Sequence, residues 1–240
     1  MTPRLNEIWV YLAATPLLGL TATLVAYVFA YRIYERARFS PLANPVMIAV
    51  ALLVTALTVT GTPYKTYFDG AQFVHFLLGP ATVALAVPLY LQLPKLRKHA
   101  LPLLGGLLVG SLVAAVSAVA IGWALGATRE TVLSLAPKSV TIPIAMGVAE
   151  KIGGLPSLTA VLVMATGIIG AVSATTLLNL LRIRDYSVRG FATGVAAHGI
   201  GTARAFQVSE EAGAFAALGM GMNGVVTAIL VPMLATWVPH

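Results

Sequence analysis

The sequence predicts an all-α fold: a polytopic bundle of transmembrane helices, some of them interrupted or re-entrant, of transporter type. Three observations carry that prediction. Of 240 residues, 58% are hydrophobic and only 10% charged, with a mean hydropathy of +0.89; a soluble domain runs near 45–50% apolar and about 25% charged. The charges leave six intervals free of Asp, Glu, Lys and Arg, namely 8–31, 39–64, 70–94, 99–128, 152–181 and 212–240. Each exceeds the roughly 20 residues that cross about 30 Å of hydrocarbon as a helix. Most of the basic residues fall in three clusters: Arg32, Arg36, Arg38; Lys95, Arg97, Lys98; and Arg182, Arg184, Arg189.

This composition excludes a soluble enzyme, a disordered chain, a nucleic-acid binder and a disulfide scaffold. The net charge of +7 and the pI near 9.9 come from short inter-helix segments, where basic residues set topology and meet anionic lipid head groups. With no Cys in the chain, thiolate metal sites and thiol catalysis are absent too.

The elements follow in order. The interval 8–31 is too long for a signal-peptide core and reads as a retained first helix. The positive-inside rule places all three basic clusters in the cytoplasm, and the N-terminus outside the cell (inner or plasma) membrane. Both 39–64 and 70–94 then cross, returning the chain to the second cluster. Within 70–94, Gly79-Pro80 interrupts the helix, because Pro lacks an N–H and clashes with the preceding turn. A new helix is expected to start at Pro80 with Thr82 in its first turn. The intervals 99–128 and 152–181 supply the next two crossings. The stretch 129–151 must therefore enter and leave on the outer side or cross in broken pieces, and Pro137 is its expected helix start, followed directly by Lys138 and Ser139. By the same logic 190–207 dips in from the cytoplasm before the last crossing within 212–240. The expectation is six crossings and two re-entrant or broken segments. No polar linker divides the chain, so 1–240 reads as one membrane domain, with 1–40 a peripheral first helix and 41–240 the core. Leu78-Gly-Pro-Ala-Thr-Val83 and Leu135-Ala-Pro-Lys-Ser-Val140 echo each other weakly, the kind of repeat that points to a transporter site.

The breaks carry the chemistry. Free N–H groups and the dipole at a helix start attract an anion, and unwound backbone is tolerated in a bilayer only against protein or a watered cavity. Lys138 and Arg204 are the candidate anion-attracting charges; Thr82, Ser139, Thr141 and Thr202 are candidate orienting hydroxyls. His198, in His198-Gly-Ile-Gly-Thr-Ala-Arg204, titrates near physiological pH and is a candidate proton-coupling group. Each has a plainer alternative: Lys138 snorkelling to the interface, Arg204 serving the positive-inside rule, His198 packing by a hydrogen bond. Asn223, inside the last helix, is either a site ligand or an interhelical hydrogen-bonding group. Gly106-Leu-Leu-Val-Gly110 reads as helix packing. No HExxH, GxSxG or GxxxxGK[ST] motif occurs, no metal-ligand spacing is present, and no charge-free interval can hold a carboxylate relay; neither an enzyme nor a cofactor is expected.

Leu78-Gly-Pro-Ala-Thr-Val-Ala-Leu-Ala86, Pro137-Lys-Ser-Val-Thr-Ile-Pro-Ile-Ala145 and His198-Gly-Ile-Gly-Thr-Ala-Arg204 resemble the signature segments of the LrgB/CidB family, in order, from about residue 40 onward. The family's second segment usually carries two consecutive threonines; Ile142 stands in the second place here, leaving Thr141 as the hydroxyl candidate. The resemblance implies two functions. Bacterial members are named holin-like or antiholin-like partners of a smaller membrane protein, LrgA or CidA, linked to murein hydrolase release. The plant relative looks like a plastidal glycolate/glycerate translocator, and bacterial pairs are associated with pyruvate uptake. Read together with the broken helices, the expected activity is alternating-access transport of a small 2-hydroxy or 2-keto monocarboxylate (glycolate, glycerate, lactate or pyruvate), coupled to H+ or Na+. The chain is expected to work as a homodimer or with an LrgA/CidA-like subunit.

Overall fold

In the computed structural model the described residues are 16–77, 80, 83, 84 and 86–236. They form helices joined by turns, with no strand among them. Four of these helices are long and apolar enough to cross a membrane. Contacts divide the chain into two units, one through Ala84 and one from Leu85 onward.

The first unit contains α1 (Pro16–Arg36), a short 3-10 turn (Pro41–Ala43), α2 (Pro45–Thr60) and α3 (Tyr64–Phe76). Asn44 starts α2 by accepting from the backbone N–H groups of Val46 and Met47 at 2.9 and 3.2 Å, the usual work of an N-cap. Gly61, in the left-handed region at φ 64°, ends it. Small residues let α1 sit close to its neighbours: Ala26, Ala30 and Ala49 form one cluster, and Thr23 Oγ1 meets the Tyr67 hydroxyl at 2.8 Å.

The second unit begins with α4 (Ala86–Leu91) and α5 (Leu93–Lys98), followed by the long α6 (Ala100–Ala124). Next come α7 (Arg129–Leu135) and α8 (Ile142–Ile152), then α9 (Pro156–Leu180), α10 (Tyr186–Val208) and α11 (Glu210–Ala235). One end of the unit is tied together by Lys95, whose ammonium donates to Asp185 at 3.3 Å and to Glu211. That bond set gathers the basic clusters of α5 and the α9–α10 loop onto a single face. Arg189 adds to it by donating to Asn179 Oδ1 and the Ile183 carbonyl, at 2.7 and 2.9 Å, which ties the α9–α10 loop to the end of α9.

The spans differ from the sequence expectation in two places. The interval 39–64 yields α2, an apolar helix of 16 residues, about 24 Å long at 1.5 Å per residue. The interval 70–94 is not one helix: α3 ends at Phe76, and a turn at Gln92 separates α4 from α5. Pro94 falls in the first turn of α5, the place where a missing N–H costs least. The expected start at Pro80 adjoins Leu78, Gly79, Ala81 and Thr82, which lie outside the described residues.

Residues 129–152 make a hairpin. The Leu155 N–H donates to Ser134 Oγ at 2.7 Å, and Thr159 Oγ1 donates to the Ser134 carbonyl at 3.2 Å, so the last turn of α7 lies against the start of α9. Its tip, at 136–141, reaches further along α9, where Val140 packs with Ala145 and Val163. The helix after the tip starts at Ile142, with Thr141 at the N-cap and Pro143 in the first turn. It does not start at Pro137 as the spacing suggests. Pro143 already occupies the favoured first-turn site, and Pro137 sits inside the tip, fully buried.

Residues 186–208 also reverse direction. Helical dihedrals fail at Ala197 (φ −127°, ψ 17°) and His198 (φ 41°, ψ −136°). Before that point neighbours run parallel to α11: a Cβ on Gly190 would meet Ala212, one on Gly194 would meet Ala216, and Val195 is bonded to Asn223. After it the order inverts, with Thr202 against Met220 and Ala205 packed with Ala212 and Ala216. Gly201 lies against Thr193, a pairing that a straight helix would hold about 12 Å apart. The two arms therefore fold back on each other, and Val208 returns to the face where Tyr186 began.

Candidate functional site

The tips of both hairpins meet deep in the second unit. Asn223 lies 13 residues into α11, about 20 Å along it, and its amide joins them. Nδ2 donates to the Ser139 carbonyl at 3.2 Å and to the Val195 carbonyl at 2.9 Å. Oδ1 accepts from Ser111 Oγ at 2.6 Å and from Thr227 Oγ1 at 3.2 Å. A primary amide has two N–H donors and two acceptor lone pairs, and all four are used. Asn223 is therefore a clamp between α6, α11 and the two tips.

A cavity of about 740 Å3 ends at this clamp. On α6 it is lined from His99 to Ala114, a run of about 22 Å. On α10 it is lined from Asp185 to Ala196. Its mouth lies on the basic face, beside Lys95 and its two carboxylate partners. Its inner end carries Lys138 and Ser139. Lys138 is half-buried and donates to Ser139 Oγ at 3.3 Å. A cation and a hydroxyl thus stand side by side at the bottom of a mostly apolar slot, an arrangement suited to a small oxyanion.

Around the mouth the charges are paired. The Ser187 hydroxyl holds the Asp185 carboxyl down at about 2, helped by the N–H groups that Asp185 caps and by Lys95. Glu211 first, and Asp185 with it, raises the Lys95 ammonium above its ordinary value. Among the described residues no group of three His, Asp or Glu side chains comes together to hold a metal ion.

The remaining candidates are dispersed. His198 is buried, and its Nε2 donates to the Val163 carbonyl at 2.9 Å. A Cβ on Gly167 would come within 2.7 Å of that ring, so glycine there makes room for it. Thr202 Oγ1 donates to the His198 carbonyl at 2.8 Å, closing the turn after the reversal. Arg204 donates to Gln207 at 3.3 Å and lies with Arg189 in a recess between the hairpin and α9. The His198–Arg204 stretch is thus not one polar site: once the chain turns at His198, its side chains face different partners. Thr141 caps the start of α8 without a side-chain bond. Pro80 belongs to the first unit, and Thr82 is outside the described residues.

Two contributors escape a sequence reading. Thr166 lines the cavity from α9 and looks, in sequence, like any threonine in an apolar helix. Gly106 lines it too, and a Cβ there would meet nothing within 4 Å. Of the Gly106/Gly110 pair, Gly110 makes ordinary contact with Val195, while Gly106 faces open space.

Residues 23–237 match the LrgB-like family. The chain is 37% identical to the uncharacterized protein YxaC of Bacillus subtilis (strain 168), over 91% of this chain and 94% of that protein. It is 30% identical to the holin-like protein CidB of Staphylococcus epidermidis, over 88% and 92% of the two chains. It is also 30% identical to the antiholin-like protein LrgB of Bacillus mycoides, over 93% and 97%. No solved structure matches. A match across most of its length, on a multi-pass helical membrane protein, means that this chain belongs to the LrgB-like family.

Proposed function

We propose that this protein carries a small organic monocarboxylate across the membrane, with the anion held at the inner end of the cavity. One observation carries the reading: Lys138 and Ser139 sit together at the tip of a hairpin, at the bottom of a slot that begins on the basic face. A charge left within apolar surroundings costs about 2.5–3.5 kcal/mol on insertion scales, a cost offset when an anion comes and goes. The carboxylate meets the Lys138 ammonium, and a 2-hydroxyl or 2-keto oxygen meets Ser139 or Thr166. Arg97, Lys98, Arg182 and Arg184 raise the local anion concentration at the mouth. In this reading the basic face is cytoplasmic.

The second reading is a holin-like or antiholin-like regulator of membrane permeability, acting with a small membrane partner. The names of the Staphylococcus epidermidis and Bacillus mycoides relatives, holin-like and antiholin-like, favour it. It predicts unsaturable leakage that depends on the partner and not on Lys138.

Proteoliposomes containing only this chain separate the two. Counterflow of glycolate, glycerate, lactate or pyruvate should saturate, and should be lost in Lys138→Ala while the variant keeps its helical content and unfolding temperature. No counterflow with any of the four acids overturns the transport reading.

A further inference from the structure

A second cavity, of about 320 Å3, lies on the other side of the first hairpin's tip. Its lining lies further along α6 and on another flank of that helix: Gly106, Gly110 and Ala114 of the first cavity share one ridge, Val116, Ala120 and Trp123 of the second another. Ala114 is the last α6 residue of the first cavity and Ala115 the first of the second, which continues to Trp123. The same handover occurs at the hairpin: Lys138 and Ser139 face the first cavity, Leu133 and Ala136 the second. Together the two line α6 from His99 to Trp123, about 36 Å at 1.5 Å per residue, more than the roughly 30 Å thickness of the hydrocarbon core.

We propose that the two cavities are the halves of one translocation path that passes from one flank of α6 to the other, and that the tip at 136–139 is the partition between them. This rests on the transport reading above. The partition is built to be held and released. Val140, next to it, packs on Val163 of α9, and the carbonyl of Ser139 is bonded to Asn223. No backbone hydrogen bond of a long helix has to break for it to shift, because the tip lies between two short ones. The two halves differ in chemistry. The first has a cation at its inner end; the second is walled by aliphatic side chains and Trp123. An anion therefore binds on the Lys138 side only, and the second half is its exit, open to water from the opposite face and shut off from the first half until the tip moves.

The chain has no cysteine, so single cysteines can be placed and probed with a membrane-impermeant cationic thiol reagent in oriented vesicles. A thiol reacts as the thiolate, which needs water. Gly106→Cys, in the first cavity, should label from the basic face. Ala120→Cys, in the second, should label from the opposite face and not from the basic one. Val109→Cys, whose native side chain is exposed on α6 outside both cavities, should be inert from both. Ala120→Cys inert from both faces, the result a lipid-filled recess gives, overturns the path, as does labelling from the basic face. Labelling as expected without uptake of any of the four acids supports the path and removes the substrate class. Uptake with Ala120→Cys inert does the reverse. Ala120→Trp should abolish uptake while Gly106→Cys labelling from the basic face persists.

Discussion

Replacing Asn223 tests whether the two hairpin tips are held as described. Asn223→Ala deletes the two donors that serve the Ser139 and Val195 carbonyls and the acceptor that serves Ser111. Thr227, one turn along α11 from Asn223, can turn its hydroxyl back to its own helix, so three partners outside α11 lose their bond. Interhelical hydrogen bonds in membrane proteins average about 0.6 kcal/mol, with values up to about 1.7. Three of them predict a loss of about 2–5 kcal/mol, with the upper end favoured where carbonyls stay buried and unpaired. At about 2–4 °C per kcal/mol for a chain of this size, the melting temperature should fall by on the order of 10 °C. Asn223→Asp should be worse at neutral pH. It keeps the shape and the acceptor but turns the donor into a second oxygen facing two carbonyls, and adds a charge in the bilayer. Acidification should narrow the gap between Asp and Ala, since a protonated carboxyl can again donate to one carbonyl. Tryptophan emission during heating in detergent, on the three variants at two pH values, is the assay. If Asn223→Ala melts with the wild type, or if Asp is no worse than Ala at neutral pH, the clamp is wrong.

The other expected outcomes can be read in the same assay. Gly106→Ala should be neutral or stabilising by about 0.5–1 kcal/mol, because glycine is costly within a helix and open space awaits the added carbon; Gly194→Ala should unfold early, since its Cβ would lie 2.0 Å from the Ala216 carbonyl oxygen. Equal effects at the two glycines would contradict the placement of α10 against α11. The Lys95 bridge sets two pH limbs. Asp185, held near 2, contributes stability that is complete above the ordinary carboxylate range near 4 and is lost as pH falls through about 2. Lys95, raised from 10.5, contributes stability that is complete below about that pH and is lost as pH rises past its folded value. Lys95→Met should therefore differ from wild type at neutral pH and converge with it at both extremes; a difference that is constant with pH refutes the bridge.

Much of the architecture is legible in the order of the residues. The long spans α6, α9 and α11 fall inside or beside the charge-free intervals 99–128, 152–181 and 212–240, because the cost of a charge in hydrocarbon leaves a gap that composition reveals. The three basic clusters mark loop ends for the same reason. The reversals are legible as regions, through Pro137 and the His198–Gly201 stretch, but not as residues. The turning residue is His198 and not either glycine beside it, since its ring anchors on Val163 while Gly201 is spent on approach to Thr193.

What the sequence alone determined is the solvent of this protein: so few charges, so spaced, require a bilayer, and the residues left over from topology include Lys138. Which of those residues share a site was decided only by the tertiary structure. Periodicity and charge spacing are local, whereas the partners of a polar side chain depend on where a chain turns back and on which helix it then meets. Lys138 and Ser139 came to line a cavity because a hairpin tip carries them there. Arg204, with the same charge, was carried by the other hairpin back toward the basic face. Asn223, one amide in an apolar helix, became the joint between them because its four hydrogen bonds could be completed only once both tips had arrived.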